Sequence, residues 1–338
     1  MSNKKWVTVV FLVLFVNMSL IAMVNYVVDP FGIFGSNILK NKLQMNERFV
    51  KIEYIEKNHQ KYNAYLFGSS RIGVVNPKLI EQYVPNSKFY NFTVSSANLY
   101  DYLMHLRYFV EKNYELKTLY LQLDIDDMNN YGQESSDYLS QLHPHVTHDS
   151  TAFFYARYLL GFFPLNIRTK IEVNLAKTLN KTYDLKKGTW QLPYKEKALM
   201  QNAKEYVEKE KSFHLKSRKV ISYTQEEQNN KALTEIVEIC KEKRIKLYVF
   251  TTPHNHNMTD TFFSNEYKKY LSDISKITTY YDFSGYNSVT RNNENYYEVS
   301  HYRPHVGRWI AAKIFHDKSV KIPKDFGKLI KKGMIHGN

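Results

Sequence analysis

The hydrophobic positions of this chain change their spacing several times, and the longest apolar run comes first. Residues 6–28 contain no charged side chain. As a helix this run would be about 34 Å long at ~1.5 Å per residue, enough to cross a hydrocarbon core of roughly 30 Å. Lys4 and Lys5 precede the run, and no further basic residue follows until Lys40. The positive-inside rule therefore predicts a cytoplasmic N-terminus at 1–5, a single transmembrane anchor at 6–28 and an exported domain after it.

Two other interpretations of this run remain open. A cleaved signal peptide usually has an apolar core of ~7–15 residues that ends at a small-x-small site. This run is longer and has no clear site of that kind. A buried core helix is the third interpretation. The length and the flanking charges favour an uncleaved anchor.

Beyond the apolar run, short hydrophobic segments alternate with segments whose apolar residues recur every three or four positions. The first pattern is typical of buried strands and the second of amphipathic helices. The predicted strands are 64–67, 88–92, 117–123, 246–251 and 278–283. The predicted helices are 46–60, 77–84, 97–111, 224–243, 262–274 and 304–316. A capping box in TQEE places Thr224 at the start of the fourth of these helices. The alternation predicts an α/β fold, with a parallel sheet between two layers of helices.

The domain organisation follows from where this alternation begins, stops and resumes. We predict a stem with an amphipathic helix at 29–60 and a three-layer α/β/α domain at 61–318. Residues 129–222 lose the alternation, which indicates a helical insertion. Its two predicted helices are 151–163 and 166–180. The tail at 319–338 is basic, and we expect it to be loose.

Composition narrows the classes of function. The 338 residues include 47 Lys and Arg against 33 Asp and Glu, a net charge of +14. The mean hydropathy of −0.49 excludes a protein with many membrane spans. The single cysteine, Cys240, excludes an intrachain disulfide framework and a Cys-cluster metal site. The positive charge alone would suit nucleic acid. Export argues against that partner and favours anionic lipid head groups or an acidic glycan.

Two short polar segments flank predicted elements in positions where open α/β sheets bind ligands. GSSR at 68–71 directly follows the first strand, and a serine in such a turn can act as a nucleophile. EVSHYRP at 298–304 directly precedes the last helix and offers a carboxylate and a histidine three residues apart. A serine nucleophile needs a base, and the base needs a carboxylate that fixes its tautomer. Each segment alone is common, but the two together are more specific.

The order of these segments resembles that of the SGNH (GDSL-like) hydrolase superfamily, with G-x-S after the first strand and carboxylate-x-x-His before the final helix. YVVDPFGIFG, NERFVK, FGSSRIGVVNP and YDFSGYNSVT with YYEVSHYRPHVG resemble membrane-anchored SGNH proteins of bacterial envelopes. That group is related to the D-alanyl-transfer protein of lipoteichoic acid synthesis and to alginate acetylation proteins. The resemblance covers roughly residues 24–125 and 245–318. It implies an SGNH-like domain outside the cytoplasmic (inner) membrane of a bacterium, in the periplasm or its equivalent.

The resemblance assigns roles to three residues. Ser70, the second serine of GSS, resembles the nucleophile, and His301 resembles the base. Glu298 stands where the superfamily usually has Asp and is one methylene longer, so its hydrogen bond to the imidazole requires a shifted loop. Asp282, at the end of the fifth predicted strand, is an alternative carboxylate partner for His301.

The oxyanion-binding residues match the superfamily less well. In NFTVSSAN, Ser96 stands where a glycine donates its backbone N–H, and a backbone N–H would still serve. The asparagine of the third block is not evident. LQLDIDDMNN offers Asp124 and Asp126 in its place, with Asn129 as a substitute. Since an ionised carboxylate cannot donate a hydrogen bond, either the two backbone amides suffice or the site is degenerate.

Other polar residues near these segments have competing interpretations. Arg71 would either hold an anionic group of the substrate or pair with the acidic run DIDD. His254 follows the fourth predicted strand, and we expect it to line the substrate site. The histidines of LHPHVTHD resemble metal ligands, but a polar loop is the expected interpretation. No metal site and no organic cofactor are predicted.

The sequence therefore predicts a membrane-tethered O-acyltransferase or esterase that transfers acyl groups to, or removes them from, a cell-envelope polysaccharide. The resemblance implies an integral membrane acyltransferase as partner, and no nucleic acid. The alternative is a catalytically degenerate SGNH-fold subunit that binds glycan or assembles an acylation system.

Overall fold

The structure is a computed structural model that describes residues 3–36, 38–39, 45–134, 136–176, 181–215, 221–262 and 264–334. The chain forms two compact units. The first comprises Met1–Glu53 and Gln133–Thr182, and the second comprises Tyr54–Gly132 and Tyr183–Asn338. The units divide the predicted insertion at 129–222, since its first half belongs to the unit that contains the N-terminal helix.

The regular elements alternate much as the sequence pattern predicts. The strands are β1 (Ala64–Phe67), β2 (Phe89–Asn91), β3 (Thr118–Leu123), β4 (Thr182–Asp184), β5 (Thr189–Gln191), β6 (Lys246–Thr251), β7 (Tyr280–Asp282) and β8 (Lys328–Ile330). The helices are α1 (Asn3–Val28), α2 (Glu47–Asn58), α3 (Lys78–Glu81), α4 (Leu99–Glu111), α5 (Pro144–Thr147), α6 (Thr151–Leu160), α7 (Pro164–Leu175), α8 (Pro193–Lys209), α9 (Glu226–Glu242), α10 (His256–Phe262), α11 (Asn265–Ile277) and α12 (Pro304–Ile314).

A six-stranded sheet forms the centre of the second unit, in the order β2-β1-β3-β6-β7-β8. The first five strands run parallel, and β8 pairs with β7 in the antiparallel direction. One face of β1 turns Leu66 towards α3 and α12, and the other turns Tyr65 and Phe67 towards Phe109 of α4. The mixed α/β fold with a mostly parallel sheet is thus confirmed. All the parallel strands end at one edge, where polar loops converge.

The first unit is built around α1, which is long and apolar enough to span a membrane. Most of its side chains are exposed, and only Asn25 and Val28 are buried. In α2, Phe49 stacks on Phe154 with ring centroids 5.2 Å apart and on His143 at 4.6 Å. The segment predicted as a stem begins with an ordered turn, because the Asp29 carboxylate accepts the backbone N–H of Ile33 at 2.7 Å.

Two local predictions were wrong. The capping box at Thr224 does not form, since α9 begins at Glu226 after Gln225, which makes no side-chain cap. The predicted insertion is not purely helical, because it contains the hairpin β4–β5.

The prediction of a loose tail at 319–338 was also wrong for the part that the structure describes. Residues 328–330 form an edge strand, with Ile330 opposite Tyr280. Phe326 is fully buried and packs against Phe283, with ring centroids 4.9 Å apart. The basic composition suggested a loose tail because it outweighs these few apolar residues in number. Burial of one aromatic side chain nevertheless stabilises the folded state more than several solvated lysines destabilise it.

We therefore expect Phe326→Ala to destabilise the full chain by about 3–5 kcal/mol, as other buried Phe-to-Ala changes do. Leu329→Ala is the matched control, since Leu329 lies in the same strand but is 39% exposed, and it should cost less than about 1 kcal/mol. Urea unfolding midpoints in detergent micelles measure both. Equal midpoints for the two variants would show that the tail does not contribute to the core.

Candidate active site

The turn after β1 presents one of its two serines and holds the other in place. A Cβ atom on Gly68 would lie 2.7 Å from Ile72 and 2.9 Å from the Gln122 side chain, so only glycine fits there. Ser69 is buried and donates its hydroxyl to Asp124 Oδ2 at 2.7 Å. Ser70 is only partly buried. The structure thus assigns the first serine to the scaffold and leaves Ser70 for chemistry.

Ser70, His301 and Glu298 form a hydrogen-bonded chain. Ser70 Oγ lies 2.8 Å from His301 Nε2, and His301 Nδ1 bonds Glu298 Oε1. Because an ionised carboxylate only accepts, Nδ1 carries the proton that is donated to Glu298, and Nε2 is left to accept from the serine hydroxyl. The His301 side chain is 25% exposed and that of Glu298 21%. This is the arrangement of a serine nucleophile, a base and an orienting carboxylate.

A tight turn accommodates glutamate at the position where the resemblance would place the shorter aspartate. The Glu298 carboxylate also accepts the backbone N–H groups of Ser300 and His301, both at 2.9 Å. The side chain therefore curls back over its own loop, which takes up the additional methylene. Burial alone would raise the pKa of Glu298, but the hydrogen bond and charge of His301 and the Ser300 amide outweigh it and lower the pKa to about 2.

A cluster of buried charges lies next to Ser70. Arg71 Nη1 lies 2.7 Å from Asp124 Oδ2 and 2.8 Å from Asp126 Oδ2. Its Nε donates to Ser300 Oγ at 3.1 Å. Burial would lower the pKa of Arg71, but the two carboxylates outweigh it and raise the pKa further above its ordinary range. Of the two interpretations of Arg71, pairing with the acidic run is confirmed.

His254 belongs to the same cluster. It is 1% exposed, and its Nε2 lies 3.0 Å from Asp124 Oδ1. Burial lowers the pKa of His254 more than the neighbouring carboxylate raises it, so the ring is neutral and donates to Asp124. Burial also opposes ionisation of Asp124, but Arg71 and His254 together hold the pKa of that carboxyl well below its usual value. His254 thus supports the cluster and does not line the substrate site, contrary to expectation.

Two backbone segments, at Ser70 and at Ser96, are the expected sources of hydrogen bonds to an oxyanion. Ser70 N–H makes no hydrogen bond within the described ranges, so it can donate one to a developing oxyanion. Val94 N–H donates to Gly68 C=O at 3.2 Å, which holds the loop after β2 against the turn that carries Ser70. In that loop, Ser96 has a φ of 52°, a left-handed conformation that favours glycine. Ser96 therefore has the backbone conformation expected of the glycine that the resemblance would place here.

No side-chain donor stands at the end of β3, where the resemblance would place an asparagine. Asp124 directly follows β3 there, and it is buried and ionised. Asn129, the predicted substitute, is exposed at the end of the short turn Ile125–Met128. Its side chain makes no hydrogen bond to any described residue. The structure thus does not bring Asn129 into contact with the triad.

Trp190 is a site residue that the sequence pattern missed. Its ring meets the His301 ring edge-on, with centroids 5.3 Å apart and planes at 83°. Its backbone N–H donates to Gly73 C=O at 3.0 Å, and a Cβ on Gly73 would collide with the indole. Trp190 lies in β5, inside the segment that shows no periodic pattern. The one signal in the sequence was a large aromatic residue among polar ones.

Helix α8 holds the loop that carries the base. Arg303 forms two hydrogen bonds with the Glu196 carboxylate, at 2.6 and 3.2 Å. The backbone carbonyl of Tyr297 accepts from Tyr206 Oη at 2.6 Å and from Lys195 Nζ at 3.4 Å. These bonds fix the residues on both sides of Glu298 and His301, and so fix the triad.

A cavity of about 630 Å³ lies between α8 and this loop. Its walls include the apolar side chains of Val74, Leu79, Leu192, Met200, Tyr297 and Pro304. Val74 comes four residues after the nucleophile, and Tyr297 is adjacent to Glu298. The cavity is large enough for a small organic group.

Asp282 and His143, two residues with more than one interpretation, both make local hydrogen bonds. Asp282 accepts from Thr251 Oγ1 at 2.7 Å and from the Ser284 hydroxyl at 2.6 Å, so its carboxylate is used within the sheet edge and is not the partner of His301. In the first unit, His143 is buried and its Nδ1 accepts the backbone N–H of His145 at 3.1 Å, which caps the short helix α5.

No protein-family model matches this chain, and no curated protein is significantly similar to it. The arrangement of Ser70, His301 and Glu298 is therefore the main support for any function. It combines three features that sequence similarity does not supply here: distance, burial and hydrogen-bond direction.

Glu298→Gln should destabilise the folded protein in a pH-dependent way. The unfolded chain protonates Glu298 near its ordinary pKa of 4.5, whereas the folded protein does so only near pH 2. The stabilisation is thus fully present above about pH 4.5 and is lost as the pH falls towards 2. We expect Glu298→Gln to cost roughly 1–3 kcal/mol at pH 7, and markedly less at pH 3. Urea midpoints of wild type and variant at both pH values measure this, and a difference independent of pH would contradict it.

Arg71→Met should lower reaction of Ser70 with a fluorophosphonate at least tenfold, because Arg71 positions both the nucleophile turn and the loop of His301. It should also destabilise the protein by about 3–5 kcal/mol, since Asp124 loses its buried partner. Arg71→Met with Asp124→Asn separates the two effects. The double variant should regain stability but not reactivity. Recovery of full reactivity would show that Arg71 acts on folding alone.

Proposed function

We propose that this protein is a serine acyl-ester enzyme that is tethered to the outer face of the cytoplasmic membrane of a bacterium and acts on a cell-envelope polysaccharide. The observation that carries the proposal is the hydrogen-bonded chain Ser70–His301–Glu298 at the carboxyl edge of a parallel sheet. The serine in the turn after β1 and the histidine just before α12 support an SGNH-like domain. The resemblance of the sequence segments supports the same superfamily.

The geometry supports a two-step acyl transfer. As Ser70 Oγ attacks the carbonyl carbon of an acyl donor, its proton passes to His301 Nε2. Ser70 N–H, with the backbone of Ser96 as second donor, stabilises the oxyanion. The C–O bond to the leaving alcohol then breaks, and His301 returns the proton to that oxygen. In the second step, His301 deprotonates water or a sugar hydroxyl as its oxygen attacks the acyl-serine. The bond between the acyl carbon and Ser70 Oγ then breaks, and His301 gives the proton to Oγ.

The acceptor of the acyl group decides which type of enzyme this is. Water as acceptor makes the protein an esterase, and a sugar hydroxyl makes it an O-acyltransferase. The resemblance favours an envelope glycan as substrate and an integral membrane acyltransferase as source of the acyl group. The apolar walls of the 630 Å³ cavity beside the His301 loop would suit a small acyl group or the face of a sugar ring.

The packing of α1 supports an uncleaved anchor over a signal peptide. Asn25 is 1% exposed, and its side-chain amide donates to the carbonyl oxygens of Leu159 and Gly161, both at 2.8 Å. Cleavage after the apolar run would remove this partner and leave the carbonyls at the end of α6 without it. A retained α1 keeps the domain close to its lipid-linked or surface substrate.

A second candidate is a glycan-binding or assembly subunit on the same scaffold. The observation that favours it is the buried, ionised Asp124, which stands where the resemblance would place a side-chain donor to the oxyanion. The two candidates differ in whether Ser70 reacts.

We expect a fluorophosphonate to modify the full-length protein at Ser70, and Ser70→Ala to abolish the adduct and the hydrolysis of a small acyl ester. Ser69→Ala is the matched control. Its hydroxyl is occupied by Asp124, so the adduct on Ser70 should persist at a reduced rate. Peptide mass spectrometry locates the adduct. A folded wild-type protein without an adduct would favour the binding subunit.

The same variants test the substrate. In cells that carry Ser70→Ala, the acyl-ester content of the envelope polysaccharide should differ from that of cells with the wild-type protein. A fall identifies a transferase and a rise identifies an esterase. An unchanged glycan together with a reactive Ser70 would contradict the substrate while leaving the chemistry intact.

A further inference from the structure

The first unit exposes large apolar side chains where α6 turns into α7. Phe162 is 80% exposed, Leu165 75% and Leu160 43%. A contiguous group of large exposed apolar side chains is typical of a site of interaction, whereas single ones are common on any surface. We define residues 160–165 as the α6–α7 tip.

The tip lies beside the last turns of α1. Asn25 binds carbonyls at the end of α6, whereas Phe34, further along the chain, contacts Tyr155 with ring centroids 6.1 Å apart. The end of α6, and the tip that follows it, therefore lie at the level of Asn25 in the last turn of α1.

The contact with Asn25 defines how deep the tip would lie in a bilayer spanned by α1. The apolar run of residues 6–28 is about 34 Å long, slightly longer than a hydrocarbon core of roughly 30 Å. Asn25 is three residues, or ~4.5 Å, from the end of α1. If α1 spans the bilayer, Asn25 and the tip lie at the outer boundary of the hydrocarbon core.

The backbone of the tip is suited to that environment, where unpaired polar groups are costly. Carbonyls that end α6 accept hydrogen bonds from Asn25, so they do not need water. Pro164 opens α7, and its ring nitrogen has no N–H that would require an acceptor. Phe163 is buried against Phe31, with ring centroids 4.8 Å apart, which leaves Phe162 and Leu165 to point outwards.

Charges resume one turn above the tip. Arg168 is exposed and forms an ion pair with Glu172 at 2.8 Å. A guanidinium at this level can reach the phosphates of the outer leaflet while the preceding apolar residues contact acyl chains.

We propose that the α6–α7 tip inserts into the outer leaflet of a phospholipid bilayer beside α1, and so forms a second membrane contact of the protein. This proposal rests on α1 being the membrane anchor proposed above. A contact at two places would restrict the tilt of the first unit relative to the membrane surface, which a single flexible tether does not do.

Spin labels in the full-length protein, reconstituted in liposomes of zwitterionic and anionic phospholipids, test the proposal. Labels are attached through Phe162→Cys, Leu165→Cys or Arg168→Cys in a Cys240→Ala background. Phe15→Cys, at the centre of α1, is the control for depth. Met200→Cys is the control for water, because Met200 is apolar and 77% exposed but lies in the second unit. Collision rates with oxygen and with a water-soluble nickel chelate measure the depth of each label.

We expect oxygen to collide with the labels at 162 and 165 more often than with the label at 200, and the nickel chelate less often. The label at 15 should be deepest and the label at 168 should lie at the level of the head groups. Rates at 162 and 165 equal to those at 200, with 15 deep, would overturn the tip contact and leave the anchor intact. A water-accessible label at 15 would overturn both.

Discussion

The buried ion pair between Arg71 and Asp124 is the interaction on which the site depends. Arg71 follows Ser70 directly, Asp124 follows β3, and the Arg71 side chain also binds Ser300 beside His301. Ser69 and His254 bind the same aspartate. One buried cluster therefore joins the ends of β1, β3 and β6 to the loop before α12. Such a cluster is costly to bury and costly to break, which makes the arrangement of these loops specific.

The triad gains its precision from two supports. From below, Arg71 fixes the spacing between the Ser70 turn and the His301 loop. On another side, α8 holds the same loop, because Glu196 binds Arg303 and Tyr206 donates to the carbonyl of Tyr297. A serine and a histidine that lie 231 residues apart in the chain thus meet at 2.8 Å. Preorganisation of this kind lets a base accept a proton without reorganising its surroundings.

The sequence was informative where local chemistry dominates. The apolar run predicted α1, the alternation of segments predicted the parallel sheet, and β6 was placed at its observed bounds. It was less informative where distant residues compensate one another. Thr224 did not cap α9, and Phe326 anchored a tail whose lysines suggested a loose segment. Trp190 could not be found, because its partners Gly73 and His301 are far away in the chain. His254 looked like a substrate contact until the depth of its burial was known.

The sequence by itself determined the order of the elements, the long N-terminal helix and the residue types that could form a nucleophile, a base and an orienting carboxylate. These follow from periodicity and from side-chain chemistry, which are local properties. Only the tertiary structure decided which serine faces His301, that Glu298 and not Asp282 binds the imidazole, and that Arg71 forms an ion pair with Asp124. Each of these depends on which groups become neighbours and how much water is excluded between them. Distance and desolvation arise only when the chain folds, and they set hydrogen bonds and pKa values alike.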